Sequence, residues 1–226
     1  ASDVYKRQPL SISSALKEII TKKEYTEKDL FAYRGLWHST MHHGSFSAIT
    51  PEATLQNINA RLLQAHQTVP KLDWLMLTFG TAYVYEAKET GKVASNCHKL
   101  PENDFNRRLL SVDEIVDEYT SLITDMAACN ATLKFLFTVS PIRHIRDGMH
   151  ANQLSKSTLL LAVDRLQQSF PEQVFYFPSY EIVLDELRDY RFYADDMLHP
   201  SPLAVHYLWE RFSETFFSAE TKQVIR

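Results

Sequence analysis

Apolar positions in this chain recur at two periods, and the two alternate along its length. Ile12, Ala15, Leu16, Ile19 and Ile20 fall on one face of a helix beginning at about Ser11, which the polar run 24–29 closes. The aromatic and histidine-rich segment from Leu36 to Phe46 is expected to be loop. Thr50 suits an N-cap, Pro51 the first helical position and Glu52 the positive end of the helix dipole. Ala53, Ile58, Leu62 and Leu63 then supply a buried stripe to about Thr68, and Pro70 ends it. The run from Trp74 to Phe79 reads as a fully buried strand closed by Gly80.

The unit then repeats. Ser111 and Glu114 form a capping box ahead of a helix carrying Ile115, Val116, Tyr119, Leu122 and Ile123. Residues 133–139 form the next buried strand, 152–168 a helix, 174–177 a third strand and 181–188 a short helix. Ser201 and Pro202 open the last helix, which runs to about Phe217. Helices alternating with short apolar strands require parallel pairing and right-handed crossovers. The expected fold class is therefore α/β, a three-layer α/β/α sandwich with a mainly parallel sheet, in one domain over residues 9–226.

Composition narrows the partners. The chain has 226 residues, 45% hydrophobic and 23% charged, the balance of an ordinary globular domain. Lys and Arg number 24 against 28 Asp and Glu, a net charge of −4 without a basic run. That disfavours nucleic acid and anionic membrane surfaces as partners. No apolar run is long enough to span a bilayer. Cys97 and Cys129 make neither a disulfide framework nor a metal cluster, and two reduced thiols point to the cytoplasm. No cofactor motif is present, and no cofactor is expected.

In a parallel sheet ligands gather beyond the carboxyl ends of the strands. Three segments lie there: Gly80–Tyr85, Ser140–His144 and Tyr193–His199. The sharpest signal is Asp196-Met-Leu-His199, followed by Pro200 and a capped helix. In a D-x-x-H turn the carboxylate accepts from imidazole Nδ1–H, which fixes the tautomer and leaves Nε2 as general base. The bland alternative is a surface turn in which the aspartate only caps and His199 is solvated.

Several blocks together resemble the GSCFA family, whose fold is similar to that of SGNH (GDSL-like) hydrolases. They are Pro9-Leu-Ser-Ile-Ser-Ser-Ala-Leu16, Leu36-Trp-His-Ser39, Phe79-Gly-Thr-Ala-Tyr-Val-Tyr85, Asn96-Cys-His-Lys99, Phe137-Thr-Val-Ser-Pro-Ile-Arg-His144, Asn152-Gln-Leu-Ser-Lys156 and Tyr193-Ala-Asp-Asp-Met-Leu-His-Pro-Ser201. The resemblance covers roughly residues 9–217. It implies a serine esterase or acyl-ester hydrolase domain with His199 and Asp196 as base and orienting partner. The implied substrate is a small-molecule or carbohydrate ester. The Gly-Ser-Cys-Phe-Ala stretch that names the family, and with it the nucleophilic serine, does not occur in these 226 residues. Residues 1–8 are expected to be a leader foreign to the domain, and 9–226 a domain lacking its first strand, hence hydrolytically inert.

Other residues carry weaker expectations. Where SGNH enzymes place an oxyanion-stabilising Asn, this chain has Ala82. The backbone N–H or hydroxyl of Thr81, beside Gly80, and the block Asn96–His98 are the candidate substitutes. Ser140 precedes Pro141, which has no N–H, so it is expected to shape its loop rather than attack substrate. Arg143 and His144 are candidates for binding an anionic group or for a surface ion pair. His38, His42 and His43 lack a converging carboxylate, so no metal is expected. Trp37 and Phe46 are expected to anchor their loop, and Tyr83 and Tyr85 to border the cleft. The rival to the enzyme reading is a non-catalytic binding module on the same fold.

Overall fold

The structure, a computed structural model, describes residues 7–88, 91, 93, 94 and 102–225. Its centre is a parallel sheet of three strands, β3 (Trp74–Phe79), β6 (Lys134–Val139) and β7 (Val174–Tyr176), in the order β3-β6-β7. Leu77, Phe79, Phe135, Phe137, Val139 and Val174 face one side, where they are buried against α3 (Val112–Cys129) and α4 (Gly148–Ser169). α1 (Pro9–Ile20) packs on the outside of that core and α2 (Pro51–Thr68) beside it. Because side chains alternate along a strand, Leu136 points the other way. It joins Phe177, Val183, Leu187, Tyr193 and Ala204, the last on α6 (Pro202–Phe216). These are the three layers expected from the sequence.

Local chemistry sets the helix ends. Thr50 Oγ1 accepts from Ala53 N, and Ser201 Oγ from Ala204 N, each directly ahead of a proline in the first turn. The capping box at Ser111 and Glu114 closes in both directions. α4 starts at Gly148 rather than Asn152, because its first turn carries no apolar periodicity: Met149 is 87% exposed. The short helix expected over 181–188 is instead one α-turn, α5 (Ser179–Glu181), running into a π-turn (Ile182–Glu186). A terminal helix, α7 (Ala219–Ile225), follows α6.

Two antiparallel hairpins depart from the expected pattern. Residues 36–46 are not all loop: β1 (Phe31–Tyr33) pairs with β2 (Leu36–His38) across a two-residue turn. Arg34 and Gly35 both have positive φ there, +50° and +78°, the backbone such a turn demands. Beyond β3, Tyr83 and Tyr85 lie in β4 (Tyr83–Ala87), which pairs with β5 (Phe105–Leu109). Among the described residues no helix is long and apolar enough to cross a membrane.

Candidate functional site

The carboxyl ends of β3 and β6 lie side by side, because Phe79 is in register with Val139. Gly80 and Ser140 follow them directly. Gly80 N donates to Arg7 O at 2.7 Å, and a Cβ on residue 80 would stand 2.9 Å from the Arg7 Cβ, so this close approach requires glycine. Arg7 and Gln8, within the expected leader, thus lie against the fold, and Gln8 is fully buried.

α4 presents an unusual face to this edge. Its buried residues are Asn152, Ser155, Lys156, Leu159, Ala162, Val163 and Leu166, one continuous stripe whose first turns are polar. Lys156, 1% exposed, donates from Nζ to Gly80 O at 2.5 Å and to Ser140 O at 2.6 Å. Ser155 Oγ accepts from Ala82 N at 2.8 Å and pairs with Thr81 Oγ1 at 3.1 Å. Asn152 Oδ1 accepts from His144 N at 3.0 Å, and His144 Nε2–H donates to Gly80 O at 3.1 Å. Three residues at i, i+3 and i+4 therefore hold both strand-end loops by their backbones.

Burial, then the Arg7 charge, pushes the Lys156 ammonium down to about 7, with Asp147 opposing. Burial and the Lys156 charge also lower His144, which favours the neutral imidazole. Asp147 is itself paired with Arg107 of β5, whose guanidinium lies 3.7 Å from the centre of the Tyr83 ring.

The turn 194–199 builds a second cluster. Asp196 Oδ1 accepts from Leu198 N at 2.9 Å and His199 N at 3.0 Å, while Oδ2 lies 2.5 Å from His199 Nδ1. These bonds hold Met197 in the left-handed region at φ +58°. The backbone donors, His199 N first, and then the imidazole lower the Asp196 carboxyl to about 2. His199 remains exposed, and among the described residues no group bonds its Nε2. An ionised carboxylate on Nδ1–H with an open Nε2 is the arrangement of an oriented general base.

Arg143 joins the two clusters. It donates to Tyr193 Oη at 2.9 Å and, at 3.4 Å, to the Met197 carbonyl, with its guanidinium 4.3 Å from the Tyr193 ring centre. Among the described residues no carboxylate pairs with it.

Of the residues singled out in the sequence, Gly80, Ser140, His144 and Arg143 converge, and Arg143 carries the connection on to Asp196 and His199. Thr81 is buried with its hydroxyl used by Ser155 and by Tyr83 N. The Gly80 and Ala82 N–H groups are also used, and the Thr81 N–H has no acceptor among the described residues. Ser140 is 3% exposed and its hydroxyl accepts from Ile142 N at 3.4 Å, a loop-shaping contact. Asn96, Cys97 and His98 lie outside the described residues, while Cys129 is a free, exposed thiol. His38 bonds Ser47, and His42 bonds Ser39. No three His, Cys, Asp or Glu side chains converge among the described residues.

Sequence reasoning quoted residues 152–156 only as a block of the resemblance and gave Asn152, Ser155 and Lys156 no place in the site. Their signal was available: Ser155 and Lys156 sit on the apolar stripe of α4, where a solvated helix would place them outside. A cavity of about 1180 Å³ lies elsewhere, lined by α1, residues 23–41 and the facing ends of β4 and β5. None of the site residues above lines it.

These features define the class: an α/β domain with helices on both faces of a parallel sheet, a polar carboxyl edge and an Asp-His turn beside it. The chain belongs to the GSCFA family, whose model matches residues 4–212. No curated protein and no solved structure matches it.

Proposed function

We propose that this domain is the base-bearing part of a serine esterase that hydrolyses or transfers the acyl group of a small-molecule or carbohydrate ester. The observation that carries this reading is the Asp196–His199 pair, 2.5 Å between Oδ2 and Nδ1, with Nε2 open. His199 Nε2 would take the proton of a serine hydroxyl as that oxygen bonds the acyl carbon. The same proton then goes to the leaving alcohol, and water releases the acyl group by the reverse relay. Thr81 N–H, which has no acceptor among the described residues, would supply a donor to the developing oxyanion.

The nucleophile would come from the Gly-Ser-Cys-Phe-Ala segment that marks the family, on a strand beside β3. β3 is an edge strand among the described residues, and Arg7 already bonds Gly80 along that edge. The reading also draws on the resemblance of the Asp-His block to SGNH hydrolases. Ala82, which offers no side-chain donor, favours a second reading, a binding module on the same fold. Fluorophosphonate labelling of the protein carrying that upstream segment, read by intact mass, separates the two. One adduct on the upstream serine, lost in His199→Ala, supports the esterase. A folded protein that takes no adduct is the binding module.

A further inference from the structure

We infer that Lys156 is the positioning residue of this site: its ammonium ties the Gly80 and Ser140 carbonyls and so sets the loops that orient Arg143 and the Asp196–His199 turn. The inference rests on the esterase reading for its functional consequence and on geometry for the clamp itself. Lys156 is 1% exposed and spans two strands that its own helix follows, with both carbonyls within 2.6 Å of Nζ. Gly80 O also takes the His144 imidazole, and His144 N is held by Asn152, one turn before Lys156. The loop 140–144 is thereby fixed at its start by Lys156 and at its end by Asn152. Arg143, between those anchors, reaches Tyr193 Oη and Met197 O within the Asp-His segment.

A buried ammonium is a cost to folding, which argues that its place is kept for what it positions. Its value is depressed from 10.5 to about 7, so between those limits the unfolded chain binds the proton that the folded chain has released. Stability from this group therefore rises with pH over that window. Below pH 7 the folded protein carries the unfavourable charge in full. The groups facing the ammonium are Arg7, which opposes the charge, Asp147, which supports it, His144, whose uncharged form burial favours, and, 5.9 Å away, the Tyr180 ring. Lys156→Met keeps the aliphatic stem and removes the charge, so it is expected to fold.

The test uses the full-length protein, with Lys156→Met and Lys156→Arg beside wild type. Three signals are followed: the fluorophosphonate labelling rate from pH 5.5 to 9, the lysine ¹⁵Nζ spectrum, and the His144 and His199 ring resonances. Wild type is expected to show one protected lysine signal titrating near pH 7. Lys156→Met should lose that signal, shift both histidines and label about tenfold or more slowly. Lys156→Arg, which restores a cation, should recover most of the rate. A folded Lys156→Met that labels at the wild-type rate, with both histidines unmoved, overturns the inference. Should Lys156→Met not fold, Lys156→Gln decides: wild-type labelling with both histidines unmoved overturns the clamp, and slower labelling with both histidines shifted supports it. If wild type takes no label, the esterase reading fails by itself. The clamp is then judged on His144 alone, a shift supporting it and none refuting it.

Discussion

Asp196 uses both carboxylate oxygens on its own turn, and that economy decides its chemistry. Oδ1 takes two backbone N–H groups and Oδ2 the imidazole, so a left-handed Met197, a cost of roughly 1–2 kcal/mol for a residue with a Cβ, is held in place. Its folded value, about 2 against an ordinary 3.8, is depressed. The stabilisation is therefore present in full above the unfolded value and lost as pH falls through the folded one. The Asp196 ¹³Cγ resonance should titrate with a midpoint near 2, and Asp196→Asn should label at least about a hundredfold more slowly than wild type. A midpoint near the ordinary value would mean that the turn is not formed in solution. This pair was legible because its members are three residues apart. Lys156 was harder to read, since its carbonyl partners lie 76 and 16 residues away and a carbonyl leaves no mark on a sequence.

At the scale of elements, what could be read was whatever is decided locally. Caps, first-turn prolines and apolar stripes place α2, α3 and α6, and continuous apolar runs place β3, β6 and β7. The capping box of α3 gives a direct measure of one such signal. Ser111→Ala removes the acceptor for Glu114 N and should cost about 1 kcal/mol at pH 7, read from the urea midpoint. Glu114, held low first by the Ser111 N–H, keeps its half of the box above its ordinary value of 4.5. The Glu114 contribution should thus shrink as pH falls below that value, and a Glu114→Ala cost unchanged down to pH 3 would contradict the reciprocal bond. The hairpins escaped for two physical reasons. At β1–β2 the positive-φ pair is Arg34-Gly35, where the familiar signal has Asn or Asp ahead of glycine. At β4–β5 the partners are separated by residues 88–104, so the alternation of Tyr83, Val84 and Tyr85 had no visible mate.

Across the whole molecule the two faces of the sheet are unequally covered. The side toward α3 and α4 is closed, with Phe79, Phe135, Phe137 and Tyr119 fully buried around one another. On the opposite side α6 covers β6 and β7, and Phe212 and Phe216 pack on Phe177. Among the described residues that cover does not reach across β3, where Met76 is 66% exposed and Trp74 40%. The sequence presented β3 as a fully buried strand because it is apolar at every position but Thr78. Composition states what a strand is suited to bury, and only the arrangement of neighbours states what lies over it. An edge strand with a bare apolar face is a template for further strand pairing. The 226-residue chain should accordingly self-associate at micromolar concentration in sedimentation velocity, and Met76→Lys should shift it toward monomer without lowering its melting temperature. A wild-type chain that sediments as a monomer at those concentrations would show that the β3 face is covered in solution. The partial burial of Trp74 by Phe175 and Phe216 would then be the beginning of a closed layer rather than its limit.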